Sequence, residues 1–360
     1  MTICYFGNYD PDYARNRVIM RGLQLSGVTI IQCNVRGKGV KTYWRLVRAY
    51  KRLGAHDLVI VGQSGEPSFI PVLARLLSKK PVVWDAFYSL YDSWVFDRQR
   101  VKKGSLKALY YWFLDWINCR SCDRIVLDTQ IHIAYFVETF QIPLKKCIRV
   151  LVGTDDTVFF PKSDTEQKLN NVLHVYFHGK YIPLQGVSYI IEAAHILLKY
   201  PDITFTLVGT GQTYEECARL VKQYNLTNVH LVNKVPYNSL PAMIAAADVC
   251  LGIFGDTPKT QRVIPNKVYE CAAMKKPVIS GDTPAIRELF TGGENIVLCN
   301  TADAHDLAEK ILMLRNNAGL RAQIAEAGFE LFKGFASPAI VVKPLIEALS
   351  ILVPVQQSGI

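Results

Sequence analysis

The chain has 360 residues, and half of them are hydrophobic, which is enough for two buried cores and predicts two domains. It contains no uninterrupted apolar run of about 18 residues, so the sequence predicts no membrane-spanning helix. Nine scattered cysteines, an odd number, favour reduced thiols over a disulfide framework, and no basic segment of the signal-peptide type precedes the first apolar strand. The composition therefore predicts a cytoplasmic protein.

The net charge of +10 belongs to the first half of the chain. Residues 1–164 contain 24 Lys and Arg against 14 Asp and Glu, whereas residues 165–360 contain 17 of each. A basic surface on the first half predicts an acidic partner. The basic residues form no recognisable nucleic-acid-binding motif, so we expect no nucleic acid among the partners.

A cluster of basic residues in the first half overlaps an aromatic stretch at 106–116. The cluster consists of Arg98, Arg100, Lys102, Lys103 and Lys107. Basic residues beside interfacial aromatic residues predict peripheral contact with an anionic membrane. The alternative is that the aromatic helix is buried and that its charges are only solvated.

Apolar runs alternate with helical patterns along the first half. The predicted strands are 2–6, 29–33, 58–61, 81–84, 124–127 and 148–152. The predicted helices are 13–25, 41–53, 68–77 and 105–118. This alternation predicts a parallel sheet with helices on both faces.

Polar residues follow the ends of several of these strands, at the edge where open α/β sheets bind ligands. Gly7 and Asn8 follow the first strand, and Arg15 lies in the next helix. This loop is no GxGxxG, so we expect no dinucleotide. Asp85 and Asp128 end two later strands, where a carboxylate can meet substrate hydroxyls or can cap a turn. We predict that these five residues contact a ligand at this edge of the sheet.

Two further segments of the first half have simple structural interpretations. Asp10 and Asp12 form a DxD pair, which suits either a divalent metal or a turn and helix cap, and we favour the cap. The polar stretch 153–171 predicts a linker between the two domains.

The same alternation begins again in the second half. The predicted strands are 173–177, 204–208, 229–232, 249–254, 277–280 and 296–298, with helices over 187–199 and from Pro265 onward. Gly179-Lys180, Gln185-Gly186 and Gly209-Thr210-Gly211 lie in loops that follow two of the strands. Glycines allow close backbone approach and a lysine supplies positive charge, so these loops predict a nucleoside diphosphate site.

The stretch 247–290 runs in the order strand, cationic loop, helix, strand. Lys259 and Arg262 lie in the loop, Asn266 and Lys267 begin the helix, and Glu270 lies one turn further in. A helix N-terminus attracts phosphates, and Glu270 can accept a hydrogen bond from a hydroxyl beside the phosphate. The alternative is a surface loop with solvated charges.

The order of these motifs resembles the donor domain of the GT-B glycosyltransferases, specifically the retaining family 4. The resemblance covers residues 172–300 and lies in Gly179-Lys180, Gln185-Gly186, Gly209-Thr210-Gly211, Ala247-Asp248-Val249, Glu270 and Pro277-Val278. It implies an α/β fold with two Rossmann-like parallel-sheet domains facing a central cleft. The implied acceptor-binding domain is 1–164, the donor-binding domain is 165–336, and 337–360 is a helix that packs back on the first domain.

Three positions depart from the family pattern. Arg262 stands at the position of the first family glutamate, Gln185 at that of the loop lysine, and Asp85 at that of the acceptor-domain histidine. The glutamate of the family faces the donor sugar and the lysine faces the diphosphate. Lys259, Arg262 or Lys267 can supply the missing positive charge.

The resemblance implies a metal-independent, hexosyl-type transferase that moves a sugar from a nucleoside diphosphate sugar to a hydroxyl, with retention of configuration. No cofactor is implied besides that substrate, and the expected catalytic residues are Asp85, Lys180 and Lys267. The expected donor-binding residues are Gly179, Lys180, Gln185, Gly186, Gly209, Gly211, Lys259, Arg262, Asn266, Lys267 and Glu270. The expected acceptor-binding residues are Gly7, Asn8, Arg15, Asp85 and Asp128.

The expected acceptor is a glycan or a lipid-linked molecule of cell-envelope biosynthesis, reached from the inner face of the membrane. Two other interpretations stay open at this stage. A sugar-nucleotide epimerase on the same fold has one nucleotide substrate and no acceptor. A degenerate transferase with Arg262 and Gln185 in the donor site binds nucleotide sugars without catalysis.

Overall fold

The computed structural model describes residues 1–65, 67–161 and 172–353. The chain divides into two compact units, one from Met1–Gly153 together with Pro338–Ile360 and the other from Thr154–Ser337. The predicted linker over 153–171, the domain boundary at residue 164 and the end of the predicted C-terminal segment lie partly or wholly outside the described residues.

The first unit is built on a parallel sheet of six strands. They are β1 (Thr2–Gly7), β2 (Thr29–Asn34), β3 (Leu58–Val61), β4 (Val82–Asp85), β5 (Arg124–Leu127) and β6 (Cys147–Arg149). Their order across the sheet is β2-β1-β3-β4-β5-β6, with parallel neighbours throughout. β3 is buried along its whole length because helices cover both faces of the sheet. β2 lies on one side of β1, whereas β3 and the later strands lie on the other side. This reversal of the strand order opens a crevice at the carboxyl ends of β1 and β3.

Helices of the first unit follow most of these strands. They are α1 (Ala14–Leu25), α2 (Val40–Tyr50), α3 (Ile70–Leu77), α4 (Leu106–Ser121) and α5 (Gln130–Phe140). Side chains cap two of them, because the Ser105 hydroxyl accepts a hydrogen bond from Ala108 N and the Thr129 hydroxyl accepts one from His132 N. The sequence patterns predicted α1 to α4, while α5 was not among the predicted helices.

The sixth strand is shorter than the predicted 148–152, which is wrong at its end. The guanidinium of Arg15 explains where β6 stops. Its Nη1 donates to the carbonyl oxygens of Val150 and Leu151 at 2.8 and 2.7 Å. A buried side chain therefore takes the backbone acceptors that a longer strand would present to a neighbour.

The second unit has its own parallel sheet of six strands. They are β7 (Leu173–His178), β8 (Ile203–Val208), β9 (Val229–Val232), β10 (Val249–Leu251), β11 (Val278–Gly281) and β12 (Val297–Cys299). Their order is β12-β11-β10-β7-β8-β9, with parallel neighbours throughout. This is the doubly wound Rossmann order, and it reverses between β7 and β10. Ligands of such sheets bind at that reversal.

The strand predicted over 249–254 ends three residues early. After Leu251, Ile253 N donates to the Ser280 hydroxyl, and Phe254 N and Gly255 N donate to the carbonyl oxygens of Gln185 and Leu184. The backbone thus leaves the sheet and pairs with the loop that follows β7. This pairing joins the two loops at the reversal point.

Helices of the second unit accompany this sheet in the part of the chain that the structure describes. They are α6 (Val187–Ile196), α7 (Tyr214–Gln223), α8 (Leu240–Ala246), α9 (Asn266–Ala273), α10 (Ala304–Asn316) and α11 (Ala318–Leu331). The helix predicted over 187–199 ends as a 3-10 turn, Leu197–Lys199, which is common at helix ends. The predicted helix start at Pro265 is confirmed within one residue, since Pro265 is the N-cap of α9.

The C-terminal segment belongs to the first unit and is two helices, α12 (Pro338–Val341) and α13 (Lys343–Leu352), rather than one. Pro344 lies in the first turn of α13 and lacks the N–H that a continuous helix would use. Val341, Leu345 and Leu349 are buried in the core of the first unit. Gly22 of α1 allows the approach, because a Cβ there would overlap the carbonyl oxygen of Pro338. The predicted α/β class with two parallel sheets is confirmed.

Candidate functional site

The candidate site of the second unit lies at the carboxyl ends of β7 and β10, where the strand order reverses. The loop after β7 contains Gly179, Lys180, Gln185 and Gly186, and the loop after β10 leads to α9. Gly186 has φ +63°, and a Cβ there would lie 2.5 Å from Gly255 N. Glycine is therefore required where the two loops meet.

Lys267, in the first turn of α9, is buried, with 4% of its surface exposed. Its Nζ donates to Gln185 Oε1, lies 3.4 Å from the carbonyl oxygen of Gly252, and lies 3.8 Å from the centre of the Phe177 ring. Burial lowers the pKa of Lys267 to about 7, although nearby Cys271 and Glu270 raise it. The loop glutamine and the helix lysine, predicted separately, are direct partners.

Glu270, one turn further along α9, is paired with His178. Its Oε2 lies 2.7 Å from His178 Nε2, and both residues are buried. His178 is the last residue of β7, directly before Gly179, and sequence reasoning missed it. The only signal was its position at a strand end that faces the predicted loop.

The loop after β8 packs against the loop after β7. A Cβ on Gly209 would overlap the carbonyl oxygen of Gly179, and one on Gly211 would overlap that of Tyr181. The glycines therefore hold the two loops together, a structural role beside the predicted contact with a diphosphate. Lys180 directly follows Gly179 in the loop after β7, and its side chain is exposed.

The cationic loop between β10 and α9 includes a short 3-10 turn, Thr260–Arg262. Lys259 is buried, with 9% of its surface exposed, and Arg262 is half-buried. Asn266 begins α9 and is half-buried as well. No acidic residue lies in the first turn of α9, so its N-terminus presents positive potential.

In the first unit the predicted acceptor residues Arg15 and Asp85 form an ion pair. Both side chains are fully buried, and Arg15 Nη2 lies 3.0 Å from Asp85 Oδ1. Burial raises the pKa of Asp85, and the Arg15 charge partly offsets this effect. The two charges neutralise each other inside the unit, and a role in acceptor binding stays a prediction.

The other predicted acceptor residues also have partners within the first unit. Asp128 Oδ1 lies 2.7 Å from His132 Nδ1, and both side chains are buried. Asn8 Nδ2 donates to the carbonyl oxygen of Gly37 at 2.9 Å. Gly7, at the end of β1, has φ +146°, a conformation that favours glycine.

A cavity of about 30 Å³ lies at the ends of β3 and β4 in the first unit. Asp115 and Asn118 of α4 line it, beside Asp85. Asp115 Oδ2 accepts hydrogen bonds from the Ser89 hydroxyl and Tyr91 N, while burial raises the pKa of Asp115 to about 7. Sequence reasoning missed both residues, because they lie within an apolar helix with no motif around them.

The described residues contain no group of three or more His, Cys, Asp or Glu side chains placed to hold a metal ion. The DxD carboxylates pair with cations instead. Asp12 lies 3.0 Å from Arg17 Nη2, and Asp10 lies 3.4 Å from Arg36 Nη1. Asp10 also accepts a hydrogen bond from Asp12 N, in agreement with the predicted turn.

Residues 172–317 match the family model described as glycosyl transferases group 1. The chain is 28% identical over 253 residues to an uncharacterized glycosyltransferase of Methanocaldococcus jannaschii, covering 69% of this chain and 66% of the relative. It is 22% identical over 197 residues to the alpha-D-kanosaminyltransferase of Streptomyces kanamyceticus, covering 52% and 49%. The matches thus span about half to two thirds of these relatives.

The fold is also similar to solved structures over nearly the whole chain. Anabaena HepE, solved with UDP and glucose, has a TM-score of 0.76 at 15% identity and covers 98% of this chain and 100% of HepE. The sucrose-phosphate synthase of Thermosynechococcus elongatus has a TM-score of 0.74 at 14% identity, covering 98% and 99%. The chain therefore has the GT-B fold, and within it residues 172–317 match the glycosyl transferases group 1 family model. Its assignment to the retaining family 4 stays a prediction.

Among the described residues, no single helix is long and apolar enough to cross a bilayer. One bent pair of helical segments, 318–336 and 338–352, is long and apolar enough when the two are taken together, by length and composition only.

Proposed function

We propose that this protein transfers a hexosyl group from a nucleoside diphosphate sugar to a hydroxyl of a glycan or lipid-linked acceptor. We further propose that the transfer retains the anomeric configuration and proceeds without a metal ion. The donor would bind at the reversal point of the second sheet, with its diphosphate near Lys267 and the N-terminus of α9.

The observation that carries this proposal is the buried ammonium of Lys267. It is desolvated, and within the described residues its recorded polar partners are an amide oxygen and a carbonyl oxygen rather than a carboxylate. Glu270 acts on this cation only from a distance, and a buried cation that no carboxylate contacts is costly, so a diphosphate would supply further negative charge. Backbone N–H groups at the start of α9 would add to the attraction.

The same groups would assist bond cleavage. As the bond between the anomeric carbon and the diphosphate oxygen breaks, the electron pair goes to that oxygen and negative charge develops there. Lys267, with exposed Lys180 at the rim, would stabilise this charge. The acceptor oxygen would form the new bond to the anomeric carbon from the same side, and its proton would go to a phosphate oxygen.

Nucleotide binding tests the proposal directly. HepE was solved with UDP, so we choose UDP as the first ligand for calorimetry, followed by the other nucleoside diphosphates. Losing a charge-assisted hydrogen bond costs roughly 1.5–3 kcal/mol, so Lys267→Met should weaken binding about 10- to 150-fold. Lys222→Met, which changes an exposed lysine on α7, should leave affinity unchanged. If the parent binds no nucleoside diphosphate, the proposal is wrong.

Glu270 supports a second test at the same site. We expect its carboxylate, oriented by His178, to accept hydrogen bonds from the donor ribose. Glu270→Ala should weaken UDP binding about 10- to 150-fold, with a smaller loss when the ribose hydroxyls are absent from the ligand. Calorimetry with UDP and with its dideoxy analogue distinguishes a loss of ribose recognition from a general loss of binding. Equal losses for both ligands would count against ribose recognition.

The reaction itself is tested by product analysis with a labelled nucleotide sugar chosen by the binding screen. Transfer predicts label in an acceptor extracted with lipids or glycans, with unchanged configuration at the anomeric carbon. Label that stays on the nucleotide as an isomeric sugar would instead identify an epimerase. Binding without turnover would identify a degenerate transferase.

A further inference from the structure

One face of α4 is apolar and open to solvent. Leu106 is 86% exposed and Leu109 is 59% exposed, and the rings of Tyr110 and Phe113 are 46% and 43% exposed. These positions recur at the spacing of a single helix face. The opposite face is buried in the first unit through Ala108, Tyr111, Leu114, Asp115, Asn118 and Cys119.

Two tryptophans border this apolar face. Trp112 and Trp116 are half-buried, and the Trp112 indole N–H donates to the carbonyl oxygen of Thr139 at 3.1 Å. The rings of Phe113 and Trp116 stack with centres 5.8 Å apart. These contacts fix the aromatic border to the body of the unit, so the face is a preformed surface rather than a loose segment.

The charges around this face are positive. Exposed basic side chains lie at both ends, namely Arg100, Lys102, Lys103, Lys107 and Arg120. Arg120 lies over the Trp116 ring at 4.6 Å, and Lys103 lies over the Phe96 ring at 5.8 Å. Within residues 92–120, all of which the structure describes, every acidic side chain is buried.

We propose that this surface docks on an anionic lipid bilayer. We call it the α4 face and define it as Leu106, Leu109, Tyr110 and Phe113 with Arg100, Lys102, Lys103, Lys107 and Arg120. The apolar side chains enter the boundary between headgroups and acyl chains, and the lysines and arginines remain among the anionic headgroups. α4 then lies parallel to the membrane surface.

Charge favours a bilayer over a second copy of the chain. In a twofold dimer the α4 face would meet itself, and its basic residues would lie opposite basic residues. Lipid phosphates offer the opposite charge across a wide, deformable surface, which suits an exposed aromatic and aliphatic strip. A dimer becomes an outcome of the test.

Docking would place the first unit beside a lipid-linked acceptor, so its use in catalysis rests on the proposed function. Binding to vesicles does not require a donor, and it can succeed or fail independently of nucleotide binding.

The experiment is sedimentation of the full chain with vesicles. We expect binding to vesicles of phosphatidylcholine and phosphatidylglycerol, little binding to pure phosphatidylcholine, and a decline as salt screens the charges. Lys102→Ser, Lys103→Ser and Lys107→Ser together should reduce partitioning about fivefold for each charge removed. Leu109→Ser with Phe113→Ser should reduce it at least about tenfold.

Two matched controls separate this surface from charge or hydrophobicity in general. Lys41→Ser, Lys51→Ser and Arg52→Ser remove the same charge from exposed positions elsewhere in the first unit. Leu76→Ser removes an apolar side chain that is 78% exposed on α3. Both controls should bind like the parent. Since all substituted side chains are exposed, melting temperatures should not change.

Three results would overturn the inference. The first is equal binding to neutral and anionic vesicles. The second is an equal loss of binding in the triple lysine variant of the α4 face and in the control variant that removes three charges elsewhere in the first unit. The third is a dimer in light scattering that Leu109→Ser with Phe113→Ser converts to a monomer, which would assign the α4 face to a second copy.

Discussion

At the scale of single residues, the protonation of Lys267 should control nucleotide binding. Its pKa of about 7 means that the side chain loses its charge as the pH rises above neutrality. A diphosphate prefers the charged form, so affinity for UDP should fall roughly tenfold per pH unit above 7, until the pKa of the complex is passed. Calorimetry between pH 7.5 and 9, where a phosphate of pKa about 6 stays ionised, measures this slope.

The control for this prediction is Lys267→Arg, because a guanidinium keeps its charge over the whole range. Its UDP affinity should vary much less with pH. The same slope in the parent and in this variant would show that another group titrates.

Asp115 should make the protein less stable at higher pH. Its pKa is about 7 in the folded chain against about 3.9 for an unfolded chain, so the folded state holds a proton over a wider range. The stability that this group contributes is fully present below about pH 4 and is lost as the pH rises to about 7. The free energy of unfolding falls by roughly 4 kcal/mol at most.

Asp115→Asn removes the ionisable group and keeps an oxygen for the Ser89 hydroxyl and Tyr91 N–H. Denaturant unfolding at pH 4.5 and pH 8 should therefore show a gain in stability for the variant that is larger at pH 8. A gain that does not depend on pH would indicate that Asp115 is not protonated in the folded chain.

At the scale of secondary-structure elements, Arg15 and Asp85 join α1, β4 and the end of β6. Removing one partner leaves a buried charge, so Arg15→Met alone or Asp85→Leu alone should lower the free energy of unfolding by about 3–5 kcal/mol. Replacing both by apolar residues, as in Arg15→Met with Asp85→Leu, should cost much less. Chemical denaturation of the two single variants and the double variant measures the coupling.

The same three variants also test whether the Arg15–Asp85 pair affects donor binding. UDP affinity should stay at the parent value in all three variants, because both residues belong to the first unit and the candidate donor site to the second. Additive losses of stability would contradict a direct ion pair.

At the scale of the whole molecule, the first unit is completed by the end of the chain. A chain that ends at Ser337 loses Val341, Leu345 and Leu349 from the core of that unit. Each buried aliphatic side chain contributes about 1.5–3 kcal/mol, which together is comparable to the roughly 5–15 kcal/mol that stabilises a domain. Differential scanning calorimetry should show the loss of one thermal transition, while UDP still raises the temperature of the other transition.

Leu345→Ala provides a graded control that shifts the same transition without removing it. Retention of both transitions in the shortened chain would mean that the first unit is stable without α12 and α13.

The sequence by itself determined the order of the strands, the Gly-bearing loops and the helix start at Pro265, but the helices α5, α7, α8, α10 and α11 were not among its predictions. These features follow from local causes, because apolar periodicity and turn residues act within a few positions. Lys267, Gln185 and Glu270 were each predicted at the donor site from their place relative to a strand end or helix start. The tertiary structure decided their partners.

His178 and Glu270 are 92 residues apart, Gln185 and Lys267 are 82 apart, and Arg15 and Asp85 are 70 apart. Such pairs depend on strand order and loop packing, which no local pattern encodes. The side of α4 that meets solvent was equally undetermined, because its sequence LKALYYWFLDWINCRS is apolar around most of its circumference. Only the packing of α4 against the rest of the first unit leaves the side chains of Leu106, Leu109, Tyr110 and Phe113 exposed to solvent.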